Sequence, residues 1–131
     1  LHREGLKQIV LIGGTDEVDE CQRIAQQCGV WLVNLCGQTE ILDIPLLCDL
    51  ARFIVANDTG TAHLAAATTT PMTVLCGPTD PHQVKPLGGN VTALQADLPC
   101  INCYRKTCSH HSCMAMLTPS LVLQHLRETA W

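Results

Sequence analysis

Aromatic residues are scarce in this chain: they make up 3% of its 131 residues, so any core must be built from aliphatic side chains. No apolar run approaches the roughly 20 residues that a membrane-spanning helix needs, and no signal peptide is visible. Basic residues are also few, with 8 Lys and Arg against 12 Asp and Glu. The resulting net charge of −4 argues against nucleic acid as a general partner.

Cysteine, by contrast, is abundant, with nine residues in the chain. Five of them fall at core-like positions in predicted helices and strands, where we interpret them as small buried hydrophobes and not as disulfides: Cys21, Cys28, Cys36, Cys48 and Cys76. An odd count in an α/β pattern favours a reducing compartment, the cytosol. The length and the hydrophobic content of 47% predict a single domain over residues 1–131, and the start at Leu1 suggests a fragment.

Short apolar runs alternate with amphipathic stretches along the whole chain. The runs predict strands at residues 8–12, 30–35, 53–56, 72–76 and 91–95. Helices are predicted from residues 15–16 to 28, 43 to about 50, about 61 to 68, and from 118–119 onward. This alternation predicts an α/β fold, a parallel sheet with helices on both faces.

Polar residues gather where the third predicted strand gives way to a helix. A helix start presents backbone N–H groups that suit an anion such as a phosphate, and Gly60 permits close approach of a ligand. Thr59, Thr61 and His63 add side-chain donors. Asp58 fits either as the helix N-cap or as an acceptor for sugar hydroxyls. Structural capping alone is the alternative explanation of this turn.

The next predicted strand also ends in a polar loop, which contains Gly77, Thr79 and Asp80. In an open parallel sheet, ligands bind beyond the carboxyl ends of the strands. Two successive strands therefore deliver polar loops to the same edge, which favours ligand binding there.

Taken together, residues 58–67, Pro71 and residues 75–81 resemble the signature of the ADP-heptose:lipopolysaccharide heptosyltransferases, glycosyltransferase family 9. That signature reads Asp-Ser/Thr-Gly-x-x-His-Leu-Ala-Ala-Ala, then a Pro, then Gly-x-Thr-Asp-Pro, and every fixed position is met. The resemblance implies a Rossmann-like domain, the C-terminal half of a two-domain GT-B enzyme.

The resemblance also implies an activity, the transfer of heptose from ADP-heptose to the lipopolysaccharide inner core. The chain corresponds to the donor-binding half; the acceptor domain and its general base are absent, so we expect no catalytic residue here and no activity from the chain alone. The implied donor-binding residues are Asp58, Thr59, Gly60, Thr61, His63 and, for the ribose, Glu17. A first-turn helix acid is the alternative role for Glu17.

Further expectations follow from the same resemblance. The enzyme needs no cofactor and no catalytic metal. Its partners are the nucleotide-sugar and, through the missing domain, the lipopolysaccharide acceptor. Its location is the cytoplasm, with peripheral contact at the cytoplasmic face of the inner membrane.

A second cysteine group, Cys100, Cys103, Cys108 and Cys113, places four thiols within 14 residues. Zinc or iron would fit a four-thiolate site, although the spacing departs from that of common zinc ribbons. We expect reduced thiols without a bound metal, in a loop held by packing of Ile101, Met114 and Met116 on the sheet edge. The competing hypothesis for the whole chain is a non-catalytic nucleotide- or phosphate-binding module with a metal bound at these cysteines.

Overall fold

The computed structural model describes residues 5–129. The chain divides into two compact units, residues 1–43 and residues 44–131. The single domain over residues 1–131 stays a prediction, and each unit is described by itself.

The first unit is a β-α-β element. Strands β1 (Ile9–Leu11) and β2 (Leu32–Asn34) pair in parallel, with Ile9 opposite Leu32. Between them lie a 3₁₀ turn (Thr15–Glu17) and helix α1 (Val18–Cys28), which ends at Gly29 with a φ of 82°. Only glycine adopts this left-handed backbone without strain, so Gly29 ends the helix as the sequence predicts.

The second unit is built on a three-stranded parallel sheet. Its strands are β3 (Ile54–Asn57), β4 (Met72–Cys76) and β5 (Val91–Gln95), with β4 in the centre. The register places Asn57 opposite Leu75, and Cys76 opposite Gln95. The three strands therefore end at one edge, as parallel pairing requires.

Five helices accompany this sheet in the described residues. Helix α2 (Asp43–Leu50) begins at the last residue of the first unit. The others are α3 (Gly60–Ala65), α4 (Pro81–Val84), α5 (Ser112–Ala115) and α6 (Pro119–Thr129). The longest helices have 11 residues, and none in residues 5–129 is long and apolar enough to cross a membrane.

The core of the second unit lies along β4. Val74 and Cys76 have no exposed surface, and Met72 is 2% exposed. Thr73 points the other way and is equally buried, with its hydroxyl 3.2 Å from that of Thr92. A central parallel strand is covered on both faces, so its one buried hydroxyl needs the partner that it has.

The predicted α/β class with parallel strands is confirmed. Strands β4 and β5 and helix α2 have the bounds that the sequence predicts. The predicted helix over residues 61–68 is shorter, because the chain leaves α3 after Ala65 and turns toward β4. Helices α4 and α5 were not predicted, since four residues are too few for a helical period to be visible.

Candidate functional site

The two polar loops at the sheet edge meet through a side-chain hydrogen bond. Asp58 directly follows β3, and Thr79 lies in the loop after β4. The hydroxyl of Thr79 donates to the Asp58 carboxylate over 2.8 Å. The sequence places both loops at one edge, but it does not predict this bond or a role for Thr79. The bond fixes the orientation of a half-buried carboxylate at the start of the turn into α3.

Asp58 is not the N-cap of α3, so that part of the prediction is wrong. Thr59 occupies the N-cap position, with extended backbone angles of −138° and 168°, and no side-chain hydrogen bond caps the helix. The carboxylate is held by Thr79 instead, because the register of β3 and β4 brings the next loop alongside. The alternative role, acceptor for sugar hydroxyls, stays a prediction.

The remaining predicted residues of the turn are exposed. Thr59, Gly60, Thr61 and His63 all lie at the surface, whereas Ala62 between them is 1% exposed. The helix is therefore anchored through Ala62 while the polar residues around it face solvent. A Cβ added at Gly60 would meet no heavy atom within 4 Å, so the space in front of this residue is open.

Glu17 belongs to the first unit, where its carboxylate has a structural partner. Its Oε2 accepts a hydrogen bond from the backbone N–H of Gly14 over 2.8 Å. This contact closes the 3₁₀ turn after β1 and supports a local structural role for the exposed side chain. A role in ribose binding stays a prediction.

Four of the five core-like cysteines are buried, as predicted, with Cys28 partly exposed. All nine cysteines are free thiols. Burial raises the pKa of Cys36 to about 11, with a further contribution from its hydrogen bond with Cys21. Burial likewise raises the pKa of Cys76 to about 11, and the negative charge of Asp58 adds to this effect. These thiols stay protonated at neutral pH and behave as apolar core groups.

The four clustered cysteines share one cavity of about 130 Å³. Its lining consists of Pro78, Cys100, Cys103, Arg105, Cys108, His110, His111 and Cys113. Within residues 5–129, no three His, Cys, Asp or Glu side chains are arranged to hold a metal ion. The spacing of the cysteines along the sequence could reveal neither the shared cavity nor the arrangement of the side chains around it. The absence of a bound metal stays a prediction.

The expected packing of this loop is only partly correct. Met114 lies against the end of β4, since a Cβ at Gly77 would stand 3.0 Å from its sulfur. Met116 is 50% exposed, and Ile101 is half-buried. Apolar contacts therefore hold the end of the loop near Met114, whereas its earlier part is held by hydrogen bonds to the loop after β4.

We expect Cys108 to be the most reactive thiol of the chain toward iodoacetamide. Hydrogen bonds from the backbone N–H groups of His110 and His111, together with the charge of Arg105, lower its pKa below the ordinary value of 9.0. The reactive thiolate is therefore more populated at neutral pH, and its alkylation rate should level off at a lower pH than that of an ordinary thiol. Peptide mass mapping over time measures these rates.

Cys100 and Cys103 are the matched controls for this experiment, because they are exposed and belong to the same loop. Buried Cys76 should react only after unfolding. Equal or faster alkylation of both exposed controls at neutral pH would contradict the assignment of Cys108.

Similarity to known proteins identifies the family of the chain. The model of glycosyltransferase family 9 (heptosyltransferase) matches residues 1–114. The chain belongs to this family. The match covers the first unit and the second as far as Met114, including Asp58 and Thr79, and it confirms the resemblance drawn from residues 58–81.

Curated relatives from the family agree with this membership. The chain is 29% identical over 110 residues to lipooligosaccharide heptosyltransferase 2 of Haemophilus influenzae. The aligned region covers 82% of this chain and 32% of that relative. It is 28% identical over 129 residues to lipopolysaccharide heptosyltransferase 2 of Escherichia coli K12. This alignment covers 91% of this chain and 36% of that relative. The chain thus spans about a third of the length of these relatives.

Solved structures from the family have the same fold. E. coli ADP-heptose lps heptosyltransferase II matches with a TM-score of 0.78 and 26% identity, over 94% of this chain and 36% of that one. A family 9 glycosyltransferase of Veillonella parvula matches with the same TM-score at 16% identity, over 94% of this chain and 36% of that one. The predicted Rossmann-like, GT-B class is confirmed. Nothing in these comparisons supports the alternative of a non-catalytic module.

Proposed function

We propose that this chain binds the nucleotide-sugar donor of a heptosyltransferase, which transfers heptose from ADP-heptose to the lipopolysaccharide inner core. Membership of glycosyltransferase family 9 carries the proposal. The agreement in fold with the E. coli ADP-heptose enzyme over 94% of the chain supports it. A separate acceptor-binding domain would bind the lipopolysaccharide acceptor and supply the general base.

The proposed donor site is the turn from Asp58 to His63, in which Thr59, Gly60, Thr61 and His63 are exposed. The backbone N–H groups at the start of α3 and the side chains of Thr59, Thr61 and His63 would donate to the diphosphate. These donors would stabilise the negative charge that develops as the bond between sugar and diphosphate breaks, without a metal. Asp58, oriented by Thr79, would accept from sugar hydroxyls.

We assign Glu17 a separate place in the proposal, as acceptor for the ribose hydroxyls of the donor. Its hydrogen bond to Gly14 uses one carboxylate oxygen, Oε2. A carboxylate has a second oxygen and further lone pairs with which to accept.

The location proposed for the enzyme is the cytoplasm, with peripheral contact at the inner membrane, where its acceptor is assembled.

We expect the chain to bind ADP weakly and to transfer no sugar. An NMR titration with ADP should shift amide resonances of residues 58–63, and adenosine should shift them less because it lacks the phosphates. A transfer assay with ADP-heptose and truncated lipopolysaccharide should give no product from this chain, since the acceptor surface and base are supplied elsewhere. Absence of ADP-induced shifts in residues 58–63 would overturn the proposed site. Measurable turnover by this chain would overturn the proposal that the acceptor surface and the general base belong to a separate domain.

A further inference from the structure

The side-chain amide of Gln95, the last residue of β5, faces three oxygen atoms. Its Nε2 lies within hydrogen-bond distance of the backbone carbonyl oxygens of Gly77 (3.0 Å) and Thr79 (2.8 Å) and of Oδ1 of Asn102 (3.0 Å), and its two N–H groups are shared among these three acceptors. Because backbone carbonyls only accept, the nitrogen and not the oxygen of this amide must face them. Gln95 therefore connects both sides of the loop after β4 to the cysteine-rich segment, residues 100–113.

Tyr104 makes two further contacts with the same loop. Its backbone N–H donates to the carbonyl of Pro78 over 3.0 Å, and its hydroxyl accepts from the backbone N–H of Asp80 over 3.2 Å. Together with Gln95 and Asn102, it ties the backbone from Gly77 to Asp80 at successive residues. We call Gln95, Asn102 and Tyr104 the brace.

Two residues of the brace have left-handed backbone angles, which are unfavourable for Tyr104. Asn102 has a φ of 59° and Tyr104 a φ of 53°, both in the left-handed region. A bulky residue such as Tyr rarely adopts this region, and such strain persists only where surrounding contacts enforce it. The hydrogen bonds of the brace are contacts of this kind, so the conformation and the contacts support one another.

We propose that Gln95 is a positioning residue for the donor site, acting through the brace to hold Thr79 where its hydroxyl donates to Asp58. The proposal rests on the proposed function, since it gives that contact a role in donor binding. It also assigns a task to the cysteine-rich segment that requires no metal: the segment fixes the loop after β4. Gln95 itself touches no substrate.

The variant Gln95→Glu tests this at constant side-chain size. A carboxylate facing the carbonyls of Gly77 and Thr79 repels them and donates nothing, so the loop should be released. Amide hydrogen exchange at Asp80 and Tyr104 should accelerate, and ADP should bind about tenfold more weakly. The control is Gln26→Glu, which adds the same charge at an exposed position in α1 and should change neither quantity.

Two further variants separate positioning from general loss of stability. Tyr104→Phe removes one hydroxyl from a half-exposed ring and should speed exchange at Asp80 with the melting temperature nearly unchanged. Thr79→Val breaks the bond to Asp58 directly. Combined with Gln95→Glu, it should weaken ADP binding no more than either change alone, because both act through one contact.

The outcomes distinguish the two proposals. Wild-type exchange rates in Gln95→Glu, or additive losses of ADP affinity in the double variant, would overturn the positioning role. Absence of ADP binding by the unaltered chain would overturn the proposed function instead, and the exchange rates would still decide whether Gln95 holds the loop.

Discussion

Replacing Gly60 by Val is expected to weaken ADP binding at least about tenfold, equivalent to roughly 1.4 kcal/mol. The reason is geometric: the new side chain would occupy the open space in front of the α3 start, where a phosphate must approach the backbone. The fold should tolerate the change. A Cβ at Gly60 meets no heavy atom within 4 Å, and Val has a higher helix propensity than Gly.

Gly89→Val is the matched control for this prediction. Gly89 is also exposed, and a Cβ added there would likewise meet no heavy atom within 4 Å, but the residue lies before β5 and outside the motif. NMR titration gives the affinities and thermal unfolding confirms that both variants fold. Undiminished ADP binding by Gly60→Val would remove the turn from Asp58 to His63 from the donor site.

Leu126→Ala is expected to produce the largest loss of stability, about 2–5 kcal/mol in the free energy of unfolding. Leu126 is 1% exposed and is the one buried residue of α6, so truncation leaves a cavity where that helix meets the core. Against a total stability of roughly 5–15 kcal/mol, this is a large fraction. Urea unfolding followed by circular dichroism measures it.

Leu121→Ala provides the comparison within the same helix. Leu121 is 38% exposed, so its truncation should cost less than about 1 kcal/mol. Similar losses for the two variants would mean that α6 is not anchored through Leu126.

Elements with complete local signals could be predicted to the residue. Strand β4 is a short run between Pro71 and Gly77 that is apolar except for Thr73, and a central parallel strand needs a largely apolar run because both faces are buried. Helix α6 begins at Pro119, which suits the first position of a helix. The four-residue helices α4 and α5 have no comparable signal.

The candidate site was predicted as a location and not as a set of contacts. The turn at Asp58 and the loop at Thr79 end adjacent parallel strands, and this much follows from the order of strands and helices. The hydrogen bond between Asp58 and Thr79 could not be predicted from the order of strands and helices. A local cap and a contact 21 residues away compete for one carboxylate, and the register of β3 and β4 decides between them.

The α/β class, the family and the position of the proposed donor turn all follow from the amino-acid sequence, because they depend on local runs and on motif order. Which side chains meet is a property of the tertiary structure. The folded chain brings four thiols around one cavity, pairs Asp58 with Thr79, and places Gln95 against a loop 16 to 18 residues earlier in the chain. Contacts at such separations depend on strand register and loop conformation, which no short stretch of sequence encodes.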